Sequence, residues 1–400
     1  MKKPYSDETE QTGLENLEEM SRFTHWMYEQ VQPWLGDHVM EAGAGIGTYS
    51  ALAWEEGKNV TAVELSDNYY DILKKRFDGE ERFESVHGSI TDPKLIEELF
   101  KKALFFEKSL EKKKDLKSLV GAIMCSLFYE ESTRTRFSFE AAMHRLGGQV
   151  ISTENASMFS SAAKGENLEH TIQVISGVAS PAMRYADIIV LRHPEIGAAQ
   201  RAARVSGVPI INAGDGAGEH PSQALLDIYT IQKFCKRLEN LSIGFVGDLA
   251  FGRIVRSLVK LLSQYKNNRF YFIAPEGLKI GQDIKEYLVK KGISFQENGN
   301  LEDVIGDIDF CYVTRVQKNH IQDQKFIEEY QNSKDKFVIS KEIYELSEAR
   351  GTFFGHPMPI DSREQEISPE VENLPRVIFL KQAGFGVPVR MALLEWIYKK

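Results

Sequence analysis

The sequence predicts an α/β protein built from two doubly wound parallel-sheet domains, preceded by a smaller segment of the same alternating kind. Three observations predict it. Strand-like and helix-like apolar patterns alternate in two successive blocks between Val120 and the C-terminus. The strand ends repeatedly carry Ser, Thr, Arg, His and Gln, the residue types that gather ligands beyond the carboxyl edges of open parallel sheets. Near the N-terminus a glycine-rich loop follows the first strand, with an acid about 20 residues further on.

The bulk composition sets the frame. A chain of 400 residues exceeds one ordinary core, so two or three domains are expected. Hydrophobic content of 42% and charged content of 27% are those of a soluble globular protein. A net charge of −9 speaks against a nucleic-acid partner and places the basic residues that matter in a pocket. Cys125, Cys235 and Cys311 are far apart and form no CxxC pair, as expected of free thiols in a reducing compartment rather than a metal site. The start, Met1-Lys2-Lys3-Pro4, lacks the apolar core of a signal peptide. The longest clean apolar run, Val120 to Tyr129, is about half of a membrane span. A cytoplasmic protein with no membrane partner is expected.

The elements follow in order. An amphipathic helix (Leu14, Leu17, Met20, Phe23, Met27) leads to Gly36-Asp37, a strand Val39 to Glu41, the loop Ala42 to Thr48 and a helix. A second strand, Val60 to Val63, ends in Glu64, and a third covers Phe83 to Val86. This stretch resembles the opening of a class I S-adenosylmethionine-dependent methyltransferase, with Glu41 to Gly47 as its first motif. The resemblance makes residues 1–89 a partial Rossmann-like segment and implies Gly43, Gly45, Gly47 and Glu64 as S-adenosylmethionine contacts, Glu64 gripping the ribose. Only two or three strands are present where that family has seven, and the later ones carry its substrate pocket. A relic or fusion partner is therefore expected, ahead of a non-catalytic S-adenosylmethionine-binding fusion (vestigial cofactor binding) and of a working methyltransferase.

Around Gly88 to Asp92 the character changes. Asp92 is placed to cap a helix running through Leu95, Ile96, Leu99 and Leu104, with Glu97 and Glu98 early and lysines late. The charge-dense run Glu107 to Lys117 reads as a solvated helix end and loop. Val120 to Tyr129 reads as a buried strand, and Phe139, Ala142, Met143 and Leu146 continue at helical spacing. Between them lies Glu131-Ser132-Thr133-Arg134-Thr135-Arg136-Phe137. Ser132 or Thr133 would cap the helix, whose free N–H groups and adjacent arginines suit a phosphate.

Ile188 to Leu191 is a strand ending at Arg192-His193-Pro194, and Val208 to Asn212 another, followed by Ala213-Gly214-Asp215-Gly216. His220-Pro221-Ser222-Gln223 opens a helix with Leu225, Leu226, Ile228 and Ile231. After a boundary near Lys236 to Asn240 come strands Ile243 to Val246, Phe270 to Ile273 and Phe310 to Val313, and a helix with Ile254, Leu258, Leu261 and Leu262. Arg253, Thr314-Arg315-Val316-Gln317 and His356-Pro357-Met358-Pro359 follow strands; a final helix, Val389 to Tyr398, is expected after the turn Gly384-Phe385-Gly386. Arginines in the Ser132 to Arg136 turn and at 192, 253 and 315 predict a small polyanion, or two anionic substrates held together.

From Val120 onward the chain is similar to the aspartate carbamoyltransferase family, of the bacterial catalytic-chain type, over roughly residues 90–400. The motifs are Phe-Tyr-Glu-Glu-Ser-Thr-Arg-Thr-Arg (128–136), Leu-Arg-His-Pro (191–194), Asn-Ala-Gly-Asp-Gly (212–216), His-Pro-Ser-Gln (220–223), Gly-Asp-Leu-Ala-Phe-Gly-Arg (247–253), Thr-Arg-Val-Gln-Lys (314–318) and His-Pro-Met-Pro (356–359). Ornithine relatives carry a cysteine where Pro357 stands, and the Thr-Arg-Val-Gln-Lys stretch belongs to the aspartate branch. The resemblance implies carbamoyl phosphate and L-aspartate as substrates, in pyrimidine synthesis. It also implies a carbamoyl-phosphate domain (90–238, completed by the C-terminal helix 387–400) and an aspartate domain (239–386).

By the same resemblance Ser132, Thr133, Arg134 and Thr135 hold the phosphate. Thr135, Arg192 and His220 contact the carbamoyl oxygen as the catalytic set, and Gln223 with the Pro357–Met358 backbone holds the carbamoyl amide. Arg253, Arg315 and Gln317 take the aspartate carboxylates. Ser160 and Lys164 complete the neighbouring subunit's site, Lys164 also reaching aspartate, which makes a homotrimer obligatory and regulatory chains conceivable. No metal, cofactor or nucleophilic side chain is required. Departures from the family pattern are Ile360-Asp361-Ser362-Arg363 in place of Arg-Val, Ala250 and Ala163 in place of lysines, and His320 in place of an arginine. They fall on secondary pairs that govern domain closure and cooperativity in the family; the substrate-contacting set is intact.

Overall fold

The computed structural model describes residues 24–25, 28–29, 32, 35, 37–42, 44–64, 67–87, 93–216, 218–316, 330–331, 333–361, 363 and 365–398. The chain divides into two compact units, residues 1–95 with 399–400 and residues 96–398.

In the first unit three parallel strands lie in the order β1 (His38–Ala42), β2 (Asn59–Glu64), β3 (Phe83–His87). The alternation in β2 buries Val60, Ala62 and Glu64. Helices α1 (Thr48–Glu55) and α2 (Asp67–Arg76) supply Ala51, Ala53 and Leu73 to the same small core. All three expected strands are present. Most of the expected N-terminal amphipathic helix, including Leu14 to Phe23 and Met27, lies outside the described residues.

Helix α3 (Pro93–Glu111) buries Ile96, Leu99, Phe100, Ala103 and Phe106, one face at helical spacing. Asp92, its expected cap, lies outside the described residues. The expectation of a merely solvated end from Glu107 onward needs correction. Glu107 accepts the Tyr229 hydroxyl at 2.6 Å and the Lys233 ammonium at 3.0 Å, because Phe106 and Ser109 keep this last turn on the buried face.

The second unit holds two all-parallel sheets. The first has the order β5-β4-β6-β7, from β4 (Ile123–Phe128), β5 (Gln149–Thr153), β6 (Ile188–His193) and β7 (Ile210–Asp215). Helices α4 (Thr133–Arg145), α5 (Leu168–Ser176), α6 (Ala198–Val205) and α7 (Pro221–Cys235) connect and follow them. The second sheet has the order β10-β9-β8-β11-β12, from β8 (Ser242–Val246), β9 (Arg269–Ile273), β10 (Phe295–Asn298), β11 (Phe310–Val313) and β12 (Phe353–Gly355). Helices α8 (Arg253–Leu262) and α9 (Gln282–Lys290) belong to this block. Central strands β4, β6, β8 and β11 are covered on both faces, which is why they read as continuous apolar runs. One apolar cluster runs from Ile96 through Met124 and Phe128 to Phe245 and Phe310, joining both sheets in a single unit.

The structure departs from the sequence reading in three further places. The run expected as a strand from Val120 begins only at Ile123: Gly121 turns at φ +87°, and Val120 is exposed. Strands β5 and β10 went unanticipated, since both are edge strands with little burial and hence no apolar alternation. The last helix, α10, spans Phe379–Tyr398 and includes Pro388 and the Gly384-Phe385-Gly386 stretch that reads as a turn. Packing overrides local propensity here: a Cβ at Gly386 would stand 2.4 Å from Arg390 Nη1 and 3.6 Å from Leu226 Cδ2. Helix α10 packs on α4 and α7, and Glu395 pairs with Lys102 of α3 at 2.7 Å. The cysteines are unpaired, as expected. Among the described residues no helix is long and apolar enough to cross a membrane.

Candidate active site

Each sheet of the second unit reverses its winding once, between β4 and β6 in the first and between β8 and β11 in the second. Loops leaving the two strands at such a point diverge and open a crevice beyond the strand ends. Four of the seven sequence motifs sit at these tips. The Glu130 to Arg136 turn follows β4, Arg192 is the penultimate residue of β6, Gly247 to Arg253 follows β8, and Thr314 to Val316 follows β11. Cross-strand register puts Phe128 beside Arg192 and Val246 beside Val313, so each pair of tips is level.

Ser132 is the N-cap of α4, as expected, but its hydroxyl accepts no capping bond. The first intrahelical bond is Arg136 N–H to Ser132 O at 3.0 Å, so the N–H groups of Thr133, Arg134 and Thr135 have no intrahelical partner. A helix start of this kind favours an anion. Thr135 is buried, and Arg134 is held below its ordinary value by desolvation and the charge of Arg315. Arg136 does not join this group: it pairs with Glu154 at 2.9 Å and lies over Phe137.

Glu130 stands between two arginines, 3.3 Å from Arg192 Nη2 and 3.6 Å from Arg253 Nη1. Arg192 also donates to Ala213 O at 3.2 Å, and Arg253 to Gly216 O. Burial and the neighbouring Arg253 lower Arg192 to about 10, with Glu130 opposing. Gly214, at φ +120°, is needed here, since a Cβ would meet Arg192 Nη1 at 2.8 Å and Arg253 Cζ at 3.5 Å. His220 caps α7, and its N–H donates to Ser257 Oγ at 3.0 Å, tying it to α8. Its imidazole is buried; desolvation and the charges of Arg192, Arg253 and Arg390 hold it well below its ordinary value, hence neutral. A neutral imidazole among guanidiniums is an N–H donor suited to a developing oxyanion.

Gln223 is buried on α7 and donates through Nε2 to Asp227 Oδ1 at 3.0 Å. Asp227 also accepts Gln382 Nε2 at 2.7 Å and the Tyr312 hydroxyl at 2.7 Å. Gln382 Oε1 accepts His356 N–H at 2.9 Å, and His356 Nδ1 accepts Met358 N–H at 2.9 Å. Met358 has φ +60°, which a non-glycine residue seldom adopts. Burial, then Arg134 and Arg315, lower His356 to about 3, and its Nε2 is buried without a hydrogen-bond partner.

The remaining expected residues are placed as follows. Ser160 caps a short helical turn, Ser161–Lys164, by accepting from Ala162 N–H, and Lys164 is exposed at its end. Gln317, Gly43 and His320 lie outside the described residues. In the first unit Gly47 caps α1 at φ +82°, and Glu64 Oε2 accepts Gly45 N–H at 2.7 Å, so the expected ribose acid is engaged by its own loop. At the departure after Pro359, Arg363 forks onto Asp361, whose N–H donates to Glu366 at 3.0 Å; burial raises Glu366 to about 7.

Sequence reasoning missed Glu130, Asp227 and Gln382. Glu130 directly precedes the phosphate-type turn, and Asp227 lies one helical turn beyond Gln223 on the same face, so both left a local signal. Gln382 left none.

Residues 88–233 match the family described as aspartate/ornithine carbamoyltransferase, carbamoyl-P binding domain, and residues 239–397 match its Asp/Orn binding domain. An aspartate carbamoyltransferase of Pisum sativum (form 2, chloroplastic) is 45% identical over 310 residues, covering 78% of this chain and 77% of its own. The aspartate carbamoyltransferase catalytic subunit of Methanocaldococcus jannaschii is 47% identical over 300 residues, 75% of this chain and 92% of that one. A crystal form of the M. jannaschii catalytic subunit superposes with a TM-score of 0.69 at 45% identity, over 77% of this chain and 95% of that one. The Trypanosoma cruzi aspartate transcarbamoylase in complex with carbamoyl phosphate superposes with a TM-score of 0.69 at 34% identity, over 76% and 92%.

Proposed function

Because the chain belongs to the aspartate/ornithine carbamoyltransferase family, we propose that the basic crevice of residues 96–398 binds carbamoyl phosphate and L-aspartate side by side. The activity is that of an aspartate carbamoyltransferase: the carbamoyl group passes to the aspartate amine, yielding N-carbamoyl-L-aspartate and phosphate for pyrimidine biosynthesis. The observation that carries the site reading is the meeting of Arg192 and Arg253 on Glu130 at the switch points of the two sheets, with a neutral His220 that feels the charge of both arginines.

In this reading Ser132 to Thr135 hold the phosphate, using the free N–H groups of the first turn and the Arg134 guanidinium. Thr135, Arg192 and His220 aim donors at the carbamoyl oxygen. Negative charge builds there as the amine attacks, so preorganised donors lower the barrier. Gln223 and the carbonyls of Pro357 and Met358 accept the carbamoyl N–H groups. Arg253, Arg315 and Gln317 take the aspartate carboxylates. Two anions must be brought together, so positioning and positive charge dominate, and the departing phosphate accepts the amine proton.

The domain division follows: residues 90–238 with 387–400 serve carbamoyl phosphate, and residues 239–386 serve aspartate. Lys164 and Ser160 act in a neighbouring subunit's site, making a homotrimer the active unit. Exposed Lys164 makes no ion pair among the described residues, which suits that role. A cytoplasmic location fits this assignment. For the first unit, the parallel order β1-β2-β3 with a glycine loop and Glu64 supports weak S-adenosylmethionine binding without methyl transfer.

The test is formation of carbamoyl-aspartate by the purified chain, with and without S-adenosylmethionine. The expected result is activity indifferent to S-adenosylmethionine. A folded trimer that forms no product would overturn the assignment.

A further inference from the structure

The reaction needs a donor that is a carbamoyl phosphate and not an acyl phosphate such as acetyl phosphate. The two differ by an amide nitrogen where the other has a methyl group, so discrimination requires acceptors facing that nitrogen. A glutamine amide offers its oxygen there only if its nitrogen is committed elsewhere, because the two ends of the amide are nearly the same shape.

Asp227 supplies that commitment twice. A carboxylate only accepts hydrogen bonds. Its Oδ1 takes Gln223 Nε2 at 3.0 Å, which turns Gln223 Oε1 the other way. The same oxygen takes Gln382 Nε2 at 2.7 Å, so Gln382 Oε1 faces His356 N–H and accepts it at 2.9 Å. His356 Nδ1 then accepts Met358 N–H at 2.9 Å and sets the Pro357–Met358 turn. Tyr312 of β11 occupies Oδ2 at 2.7 Å. Asp227, Tyr312, Gln382 and His356 are each at most 1% exposed, so water does not compete for these bonds. One buried carboxylate thus registers the glutamine on α7 and the turn after β12, elements that are distant in the sequence.

We infer that Asp227 is a positioning residue that orients both acceptors of the carbamoyl amide and so makes the site select carbamoyl phosphate over acetyl phosphate. The inference rests on the proposed assignment of Gln223 and the 357–358 turn to that amide.

The test uses the full chain and compares the KM for carbamoyl phosphate with the inhibition constants of acetyl phosphate and inorganic phosphate. Asp227→Leu should raise the KM for carbamoyl phosphate roughly tenfold or more, the loss of one oriented hydrogen bond. Acetyl phosphate and inorganic phosphate should bind within about twofold of their original strength, since the α4 turn is untouched. Asp227→Asn should recover most of the preference: its Oδ1 still accepts both glutamine amides while its Nδ2 donates to the Tyr312 oxygen. Unchanged preference in folded Asp227→Leu, or parallel weakening of all three ligands, overturns the inference. If Asp227→Leu does not fold, Gln382→Met severs the relay to the turn and should lower the same preference; no change there overturns it equally. Gln223→Leu separates the two levels. If it also keeps the preference, the assignment of Gln223 to the amide has failed; if it abolishes the preference while Asp227→Leu keeps it, only the positioning inference has failed.

Discussion

Removal of the first unit tests whether carbamoyl transfer is self-contained in residues 96–398. A chain beginning at Ser85 retains all of α3 and should fold and stay active. A chain beginning at Phe100 loses Ile96 and Leu99, which are 0% and 3% exposed in the main core. Full burial of such side chains contributes about 1.5–3 kcal/mol each, so the second truncation removes about 3–6 kcal/mol. That is an upper range, because unfolded chains already bury some apolar surface. A typical domain is stable by only about 5–15 kcal/mol, so the loss is enough to prevent stable folding. The shortened α3 would also start only two residues before Lys102, placing its pair with Glu395 in a frayed first turn. Soluble yield, thermal unfolding midpoint and carbamoyl-aspartate formation should be measured for both chains. A folded but inactive chain from Ser85 would show that the first unit is a working part of the enzyme. Undiminished stability of the chain from Phe100 would refute the energetic role given to α3.

Three further outcomes are expected. Arg134→Ala should mainly weaken carbamoyl phosphate and Arg315→Ala mainly aspartate, each by about 2–5 kcal/mol; steady-state kinetics that left the aspartate dependence of Arg315→Ala unchanged would remove that residue from the aspartate site. Inactive Lys164→Ala and Arg315→Ala chains, refolded together, should regain partial activity where an interface pairs two intact halves; mixed trimers without recovery would mean that Lys164 serves its own subunit. His356 is lowered to about 3 by burial and by Arg134 and Arg315, so the unfolded chain binds the extra proton below about 6.5, and stability falls as pH drops from there toward 3. Asp227 and Glu366, raised to about 6 and about 7 by burial, act oppositely: their contribution is complete below about 4 and is lost as pH rises through those values. His356→Asn, which can still accept from Met358, should flatten the acid side of the pH dependence of the unfolding free energy, read from urea titrations, by up to about 1.4 kcal/mol per pH unit; an unaltered slope between pH 6.5 and 4 would contradict a buried neutral imidazole.

Much of the site was readable because its parts are local. Ser132 to Thr135 lie on one strand-turn-helix unit, and the apolar run before them and the helical spacing after them are both short-range patterns. The same holds for Arg192 at the end of β6 and His220 with Gln223 at the start of α7. Edge strands β5 and β10 were not readable, because a strand that buries little carries no periodic signal. The length of α10 was not readable either: Gly384, Gly386 and Pro388 are poor helix formers, and only packing against α4 and α7 makes them helical.

By itself the sequence determined the strand-turn-helix units, the residue types at their tips and, through the motifs, the carbamoyltransferase family. Tertiary structure alone decided which tips meet. Glu130 faces Arg192 and Arg253 because the winding of each sheet reverses beside them. Asp227 joins Gln382, 155 residues away, and Tyr312, 85 residues away, because the packing of α10 and β11 around α7 brings them there. Apolar periodicity encodes which face of an element is buried, and does so within one element; the partner that face meets is set by the packing of the whole core.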